Sequence, residues 1–215
     1  MPPDPDAPST GALELADLTR ALIDRLVRVE ASPDVGARVT VLLAEANELL
    51  DAERVAHSGV SADDWRSEQV DVMAFFRRNP VIGDLNPLAP RLEIESHGEG
   101  DGLNGLEIVA RTHLGLAYEG PPGTVHGGAI ASLFDQLLSF PNIHNRIPGF
   151  TARLTVHYRR PCPLDTDLEF RMRTERVEGR KVTAVGELYA DGVLCAEADG
   201  LFVAPEGVMG TGQRP

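Results

Sequence analysis

The sequence predicts an α+β chain in which one apolar helix is wrapped by a five- to six-stranded antiparallel sheet, with a helical hairpin ahead of it. Three observations carry this. Between residues 127 and 140, Ile130, Leu133, Phe134, Leu137 and Leu138 recur at helical spacing, on a helix so apolar that a sheet must bury it. From about 150 to 204 the period changes to two. Leu168, Phe170 and Met172 alternate with Glu169, Arg171 and Arg173, and Ala152, Leu154, Val156 and Tyr158 alternate with Arg153, Thr155 and His157. Before residue 60, two further helical stripes flank the break Ser32-Pro33-Asp34.

Taken in order, residues 1–10 form an acidic, proline-rich tail expected to be disordered. The hairpin, 11–60, presents Leu15, Leu18, Leu22, Leu26 and Val29 on its first helix, and Val39, Leu42, Leu43, Ala46, Leu49 and Leu50 on its second. Each stripe needs a cover. Residues 61–90 read as a linker with a short helix over Trp65–Arg77, then a turn-rich run from Asn79-Pro80 to Pro90. The main domain is 91–204. Its first strand is Leu92–Ile94, and a longer, bent one runs from Leu106 through Ala110 to Leu114 and Leu116. Val177-Glu178-Gly179-Arg180 and Asp191-Gly192 are hairpin turns, so 150–204 reads as a four-stranded meander. Residues 205–215 are a second tail.

With 215 residues, 42% of them hydrophobic and 25% charged, the chain is of ordinary globular composition. No apolar run approaches the roughly 20 residues of a bilayer span, and the start resembles no secretion signal, so a cytoplasmic location is expected. The net charge of −13 disfavours nucleic acid and anionic membranes. Residues 151–181 run against it: seven arginines and the chain's single lysine face five acids, a net of +3. That stretch is where a small phosphorylated ligand would dock. Two cysteines, Cys162 and Cys195, make no disulfide framework, and no metal site is expected.

Two features carry chemistry. On the apolar helix, Ser132, Asp135, Gln136 and Ser139 share one face, and a carboxylate there is costly unless it is paired or functional. Upstream, the loop Gly120-Pro121-Pro122-Gly123-Thr124-Val125-His126-Gly127-Gly128 runs straight into the helix start. Bare N–H groups at that start suit an oxygen gaining negative charge, as in acyl transfer. Gly127 and Asp135 are eight residues apart, so they lie about 12 Å apart along the axis and no single carbonyl touches both. If both act on one substrate, two antiparallel copies of the helix must supply them, which requires a two-fold dimer.

The run Thr124-Val125-His126-Gly127-Gly128-Ala129-Ile130-Ala131, followed by Asp135, resembles the His-Gly-Gly signature of hotdog-fold acyl-CoA thioesterases of the PaaI-like group. Thr151-Ala152-Arg153-Leu154, Tyr158-Arg159-Arg160-Pro161 and Val177-Glu178-Gly179-Arg180-Lys181 are similar to its THEM-type branch. The resemblance spans about residues 80–204 and leaves the hairpin unexplained. It implies a hotdog fold and hydrolysis of acyl-CoA to free acid and coenzyme A by a homodimer or dimer of dimers, with a place in fatty-acid metabolism. No cofactor is implied, because coenzyme A is part of the substrate.

By the same resemblance, Asp135 is the catalytic carboxylate, acting as general base or as nucleophile, and the Gly127 N–H polarises the thioester carbonyl. His126 holds the loop and the acyl group, and Thr151 assists at the carboxylate. Gly128 borders the substrate, while His157, Arg159, Arg180 and Lys181 contact coenzyme A; Ser139, one turn beyond Asp135 and grouped with the substrate-binding residues, bonds either the carboxylate or attacking water or its own helix. Ser132, Phe134, Leu138 and Phe140 are candidate walls of an acyl tunnel. Three positions depart from the pattern. Gly120 stands where phenylacetyl-type members carry asparagine, His157 replaces an asparagine of the branch, and Arg159 replaces a lysine. Two other readings compete: an acyl-CoA-binding module without catalysis, and a hotdog hydratase or dehydratase.

Overall fold

The computed structural model describes residues 10–52, 76–98, 106–144, 147 and 149–205. Their elements are helices α1 (Thr10–Arg28) and α2 (Pro33–Asp51), strands β1 (Leu92–His97) and β2 (Glu107–His113), helices α3 (Gly127–Leu137) and α4 (Ser139–His144), and strands β3 (Phe150–Tyr158), β4 (Asp167–Glu178), β5 (Lys181–Ala190) and β6 (Val193–Val203). The tails, and the helix expected over Trp65–Arg77 apart from its last two residues, lie outside the described residues.

Six strands form one antiparallel sheet in the order β1-β2-β4-β5-β6-β3. The expected four-stranded meander is thus corrected. Strands β4, β5 and β6 do follow one another, but β3 pairs with β6 and not with β4. The chain leaves β3 through Arg160-Pro161-Cys162-Pro163, whose prolines cannot donate to a ladder, and this segment carries it across to β4. The turns follow the sequence: Gly179 has φ 57°, and Asp191 and Gly192 have φ 47° and 77°, the left-handed pair of a tight hairpin. The second strand is shorter than expected. Leu114 leaves it fully buried, and Leu116–Tyr118 form a turn of 3₁₀ helix.

Helix α3 lies against the inner sheet face and buries Ile130, Leu133, Phe134 and Leu137, each worth about 2 kcal/mol. Phe134 meets Phe170 edge-on at 5.2 Å. Gly186 and Gly200 admit the helix closely, since a Cβ on either would stand 3.1 or 3.3 Å from Leu138. The helix expected to continue to about Phe140 ends at Leu137. Pro141 has no N–H for the Leu137 carbonyl and its ring would collide with it, so α4 starts afresh.

The N-terminal helices form where the stripes place them, but a different face packs. Leu15, Leu18, Leu26 and Val29 are 45–61% exposed, while Ala16 is buried and Arg20 is nearly so. The Arg20 guanidinium donates to the carbonyls of Gly83, Asp84, Asn86 and Ala89 at 2.7–3.0 Å, which holds α1 by this face and leaves Leu15, Leu18 and Leu26 outside, with Leu22 half-buried. No residue of α2 is buried.

Candidate active site

The glycine loop is a folded turn rather than a slack one. Gly120 N–H donates to Thr124 O and Thr124 N–H to Pro121 O, both at 2.9 Å, and Gly123 takes φ 74°. Gly123 N–H also donates to the Glu119 carboxylate at 2.7 Å. Val125 N–H donates to Cys162 O and His126 N–H to Tyr118 O, each at 2.8 Å, fixing the loop to the β3–β4 crossover and to the 3₁₀ turn after β2. A Cβ at Gly120 would lie 2.7 Å from the His126 Cα, so the position that departs from the phenylacetyl-type pattern admits only glycine here.

His126 caps α3. Its Nδ1 accepts from Gly128 N–H at 2.9 Å, which puts the ring proton of the neutral imidazole on Nε2. The Gly128 amide is therefore engaged within the loop. What Gly128 offers is the lack of a side chain, since a Cβ would approach His126 Nδ1 to 3.0 Å. Gly127, the first helical residue, has no intrahelical partner for its N–H and finds none among the described residues. Its carbonyl accepts from the Tyr158 hydroxyl at 2.6 Å. Sequence reasoning placed Tyr158 in a motif without giving it a role. Its alternation with outward residues on β3 was the available signal, because it puts the ring on the helix side.

The polar stripe on α3 resolves into three bonded groups and one open one. Ser132 donates to Gly128 O at 2.9 Å, Gln136 accepts from Asn79 Nδ2 at 2.9 Å, and Ser139 donates to Gln136 O at 2.6 Å. Ser139 thus serves its own helix end rather than the carboxylate. Asp135, half-buried, has no hydrogen-bond or ion-pair partner among the described residues. Eight residues of one unbroken helix separate it from Gly127, so the spacing of about 12 Å stands. Thr151 sits beside a bulge, where β3 pairs Thr151 with Phe202 and Arg153 with Leu201, and it makes no hydrogen bond to Asp135 within the chain. Phe134 and Leu138 are fully buried against the sheet, whereas Phe140 borders a surface depression.

The four expected coenzyme contacts are not gathered by one chain. His157 and Arg159 share a surface depression with Arg173, Glu187 and Glu197, and Arg159 is ion-paired to Glu197. Arg180 donates from Nε to Ala204 O at 2.9 Å, and Lys181 opens β5. Along β6, Lys181 stands opposite Val203 and His157 opposite Glu197, six residues or about 20 Å apart. The two cysteines are free and buried, and burial first, then the neighbouring Cys195, pushes the Cys162 thiol up to about 12. Among the described residues no cluster of His, Cys, Asp or Glu could hold a metal, and no helix is long and apolar enough to cross a membrane.

A helix wrapped by a six-stranded antiparallel sheet, entered through a His-Gly-Gly cap and carrying an open carboxylate two turns on, is the hotdog thioesterase arrangement. The family model described as thioesterase superfamily matches residues 122–196. A crystal structure of a thioesterase superfamily protein is 33% identical, covers 91% of this chain and 96% of its own, and superposes with a TM-score of 0.77. The chain belongs to the thioesterase superfamily. Among curated proteins it is similar to acyl-coenzyme A thioesterase THEM4 of Xenopus laevis, 37% identical over 98 residues, 45% of this chain and 44% of that one. An uncharacterized protein of Schizosaccharomyces pombe is 36% identical over 135 residues, 59% of this chain and 73% of its own. The chain spans less than half the length of the THEM4 proteins it matches.

Proposed function

We propose that this protein hydrolyses acyl-CoA thioesters to the free acid and coenzyme A, at sites shared between two copies of the chain. The observation that carries the reading is the pair of unengaged groups on one helix: the Gly127 N–H at its start and the Asp135 carboxylate two turns later. Each of the other groups on that face has a partner within the chain.

In the reaction the thioester carbonyl oxygen accepts from Gly127 N–H of one copy, at the positive end of the α3 dipole. Asp135 of the other copy takes a proton from water, and the water oxygen bonds to the carbonyl carbon. Collapse of the tetrahedral adduct breaks the carbon–sulfur bond, and the departing thiolate takes up the proton. In the alternative route the Asp135 carboxylate attacks the carbonyl carbon, the carbon–sulfur bond breaks to release coenzyme A thiolate, which takes up a proton from water, and water then splits the mixed anhydride into the free acid and the Asp135 carboxylate. A single turnover in ¹⁸O water that labels Asp135 and leaves the product acid unlabelled shows the second route with water attacking the Asp135 carbonyl, because the general-base route puts the label in the acid alone. Tyr158 holds Gly127 from its carbonyl side and so restrains the first turn of α3, on which the N–H sits. Arg159, Arg180 and Lys181 provide positive charge for coenzyme A phosphates, with His157 beside Arg159, in the one stretch that reverses the chain's acidity. The kinship with THEM4 proteins supports a CoA thioester as substrate.

The test is thiol release from a panel of acyl-CoAs by wild type and by Asp135→Asn. Turnover should fall at least about a hundredfold in the variant while the oligomer persists. Wild type that binds acyl-CoA without releasing thiol would mark a binding module instead, and an enoyl thioester product would mark a hydratase or dehydratase.

A further inference from the structure

Asp135 sits where a helix is least secure. Helix α3 ends two residues later at Leu137, and Pro141 leaves the Leu137 carbonyl without a helical partner. A carboxylate in a last turn moves with any fraying of that turn. The turn is held from outside the helix instead. Gln136 Oε1 accepts from Asn79 Nδ2 at 2.9 Å, Gln136 Nε2 donates to Ser139 Oγ at 3.3 Å, and Ser139 Oγ donates to the Gln136 carbonyl at 2.6 Å.

Asn79 is itself fixed. Its Oδ1 accepts from the Val81 and Ile82 N–H groups at 2.8 and 3.2 Å, and its backbone carbonyl from Gly83 N–H at 2.9 Å. A Cβ at Gly83 would stand 2.5–2.7 Å from the backbone of Arg77 and Asn79, so the segment closes tightly on itself. The same segment reaches the other end of α3. Leu88 O accepts from the Tyr118 hydroxyl at 3.1 Å, and Tyr118 O accepts from His126 N–H at 2.8 Å, one residue before Gly127. Arg20 fastens the segment to α1 through the carbonyls of Gly83, Asp84, Asn86 and Ala89. Residues 79–89 therefore tie together the amide end and the carboxylate end of the helix, about 12 Å apart, and they lie ahead of the 122–196 stretch that the family model matches.

We propose that the 79–89 segment braces the reacting groups: Asn79 is a positioning residue for Asp135, acting through Gln136, and Tyr118 is a positioning residue for Gly127, acting through His126. The inference rests on the thioesterase reading. The amide and the carboxylate must meet one thioester carbonyl from two copies of the helix, so a displacement of about 1 Å at either end costs up to about a hundredfold in rate. None of the proposed coenzyme A contacts belongs to the segment, so its loss acts on kcat and spares KM.

The experiment measures kcat and KM, per folded protein by near-ultraviolet circular dichroism, for wild type, Asn79→Ser, Gln136→Leu, the two together, and Tyr118→Phe, with the best acyl-CoA of the panel. Asn79→Ser keeps an oxygen for the Val81 and Ile82 N–H groups and is too short to reach Gln136. Each single variant should lower kcat about tenfold with KM within about twofold of wild type. The pair together should lose no more than either alone, because both changes remove one bond. Unchanged kcat in Asn79→Ser, or losses that multiply in the pair, overturns the brace at the carboxylate. Unchanged kcat in Tyr118→Phe overturns it at the amide, and an effect on KM alone overturns both. If Gln136→Leu does not fold, Asn79→Ser decides by itself. If wild type hydrolyses no CoA thioester, the thioesterase reading fails, and amide hydrogen exchange decides the hold separately. Exchange at residues 135–138 about tenfold faster in Asn79→Ser than in wild type supports it, and equal exchange overturns it.

Discussion

Asp135 on α3 and Tyr158 on β3 act on the two ends of the proposed site in different ways. A carboxylate without a partner on an otherwise apolar helix is retained at a cost in stability, so Asp135→Asn should leave the protein at least as stable as wild type while abolishing turnover. Thermal unfolding of the two, run beside the thiol-release assay, checks that combination. Tyr158→Phe removes only the hydroxyl that holds the Gly127 carbonyl, and should lower kcat about tenfold with KM little changed. Cys162 should be inert: buried, with its thiol pushed up to about 12, it reacts with an aromatic disulfide reagent at pH 8 only after unfolding. At this scale the sequence is informative where a residue type conflicts with its surroundings, as Asp135 does on an apolar stripe. It is silent where the partner lies far along the chain. Nothing near residue 158 announces Gly127, and nothing near residue 79 announces Gln136.

Elements are held by few, specific anchors. Arg20 joins α1 to four carbonyls of the 83–89 turn and is nearly buried, so Arg20→Ala should cost about 2–3 kcal/mol, read from urea midpoints, and free α1 to proteolysis. Asp17 is bound to Arg91 on the adjoining loop, and that contact, ahead of the opposing effect of burial, holds its carboxyl below the usual carboxylate range. A depressed folded value makes the contribution complete above about pH 4, with loss as the pH falls through the folded value. The stability difference between wild type and Asp17→Asn should therefore be present at pH 6, at most about 1 kcal/mol for so exposed a pair, and should shrink progressively as the pH falls below about 4. Hairpin turns and helix starts are legible because they depend on neighbours in sequence: Asp191-Gly192 and Pro33 act locally. The placement of β3 beyond β6, and the face of α1 that packs, are not. Both are decided by distant backbone groups, the free edge of β6 and the carbonyls that Arg20 reaches.

For the molecule as a whole, the fold class follows from the switch of period between residues 127–140 and 150–204, and the proposal of a two-chain site follows from an eight-residue spacing if both groups act on one substrate. What no pattern conveys is depth, so the surface depression beside Phe140 and the separation of Lys181 from His157 emerge only in three dimensions. β3 supports a second copy: it is paired on one side only, and its ends carry Phe150, 71% exposed, and Tyr158, 52% exposed. The most direct test uses two inactive variants. Gly127→Pro deletes the N–H at a first helical position, where proline fits, and His126 already has ψ 129°, suited to a following proline. Gly127→Ala, with the same Cβ crowding Tyr158, keeps the N–H and serves as the control. Mixed through co-expression, Gly127→Pro and Asp135→Asn should form hybrids in which one site has both an intact amide and an intact carboxylate, recovering about a quarter of wild-type acyl-CoA hydrolysis from a random pairing. Activity no higher than that of either variant alone, in hybrids shown to have formed, would contradict a site shared between two chains.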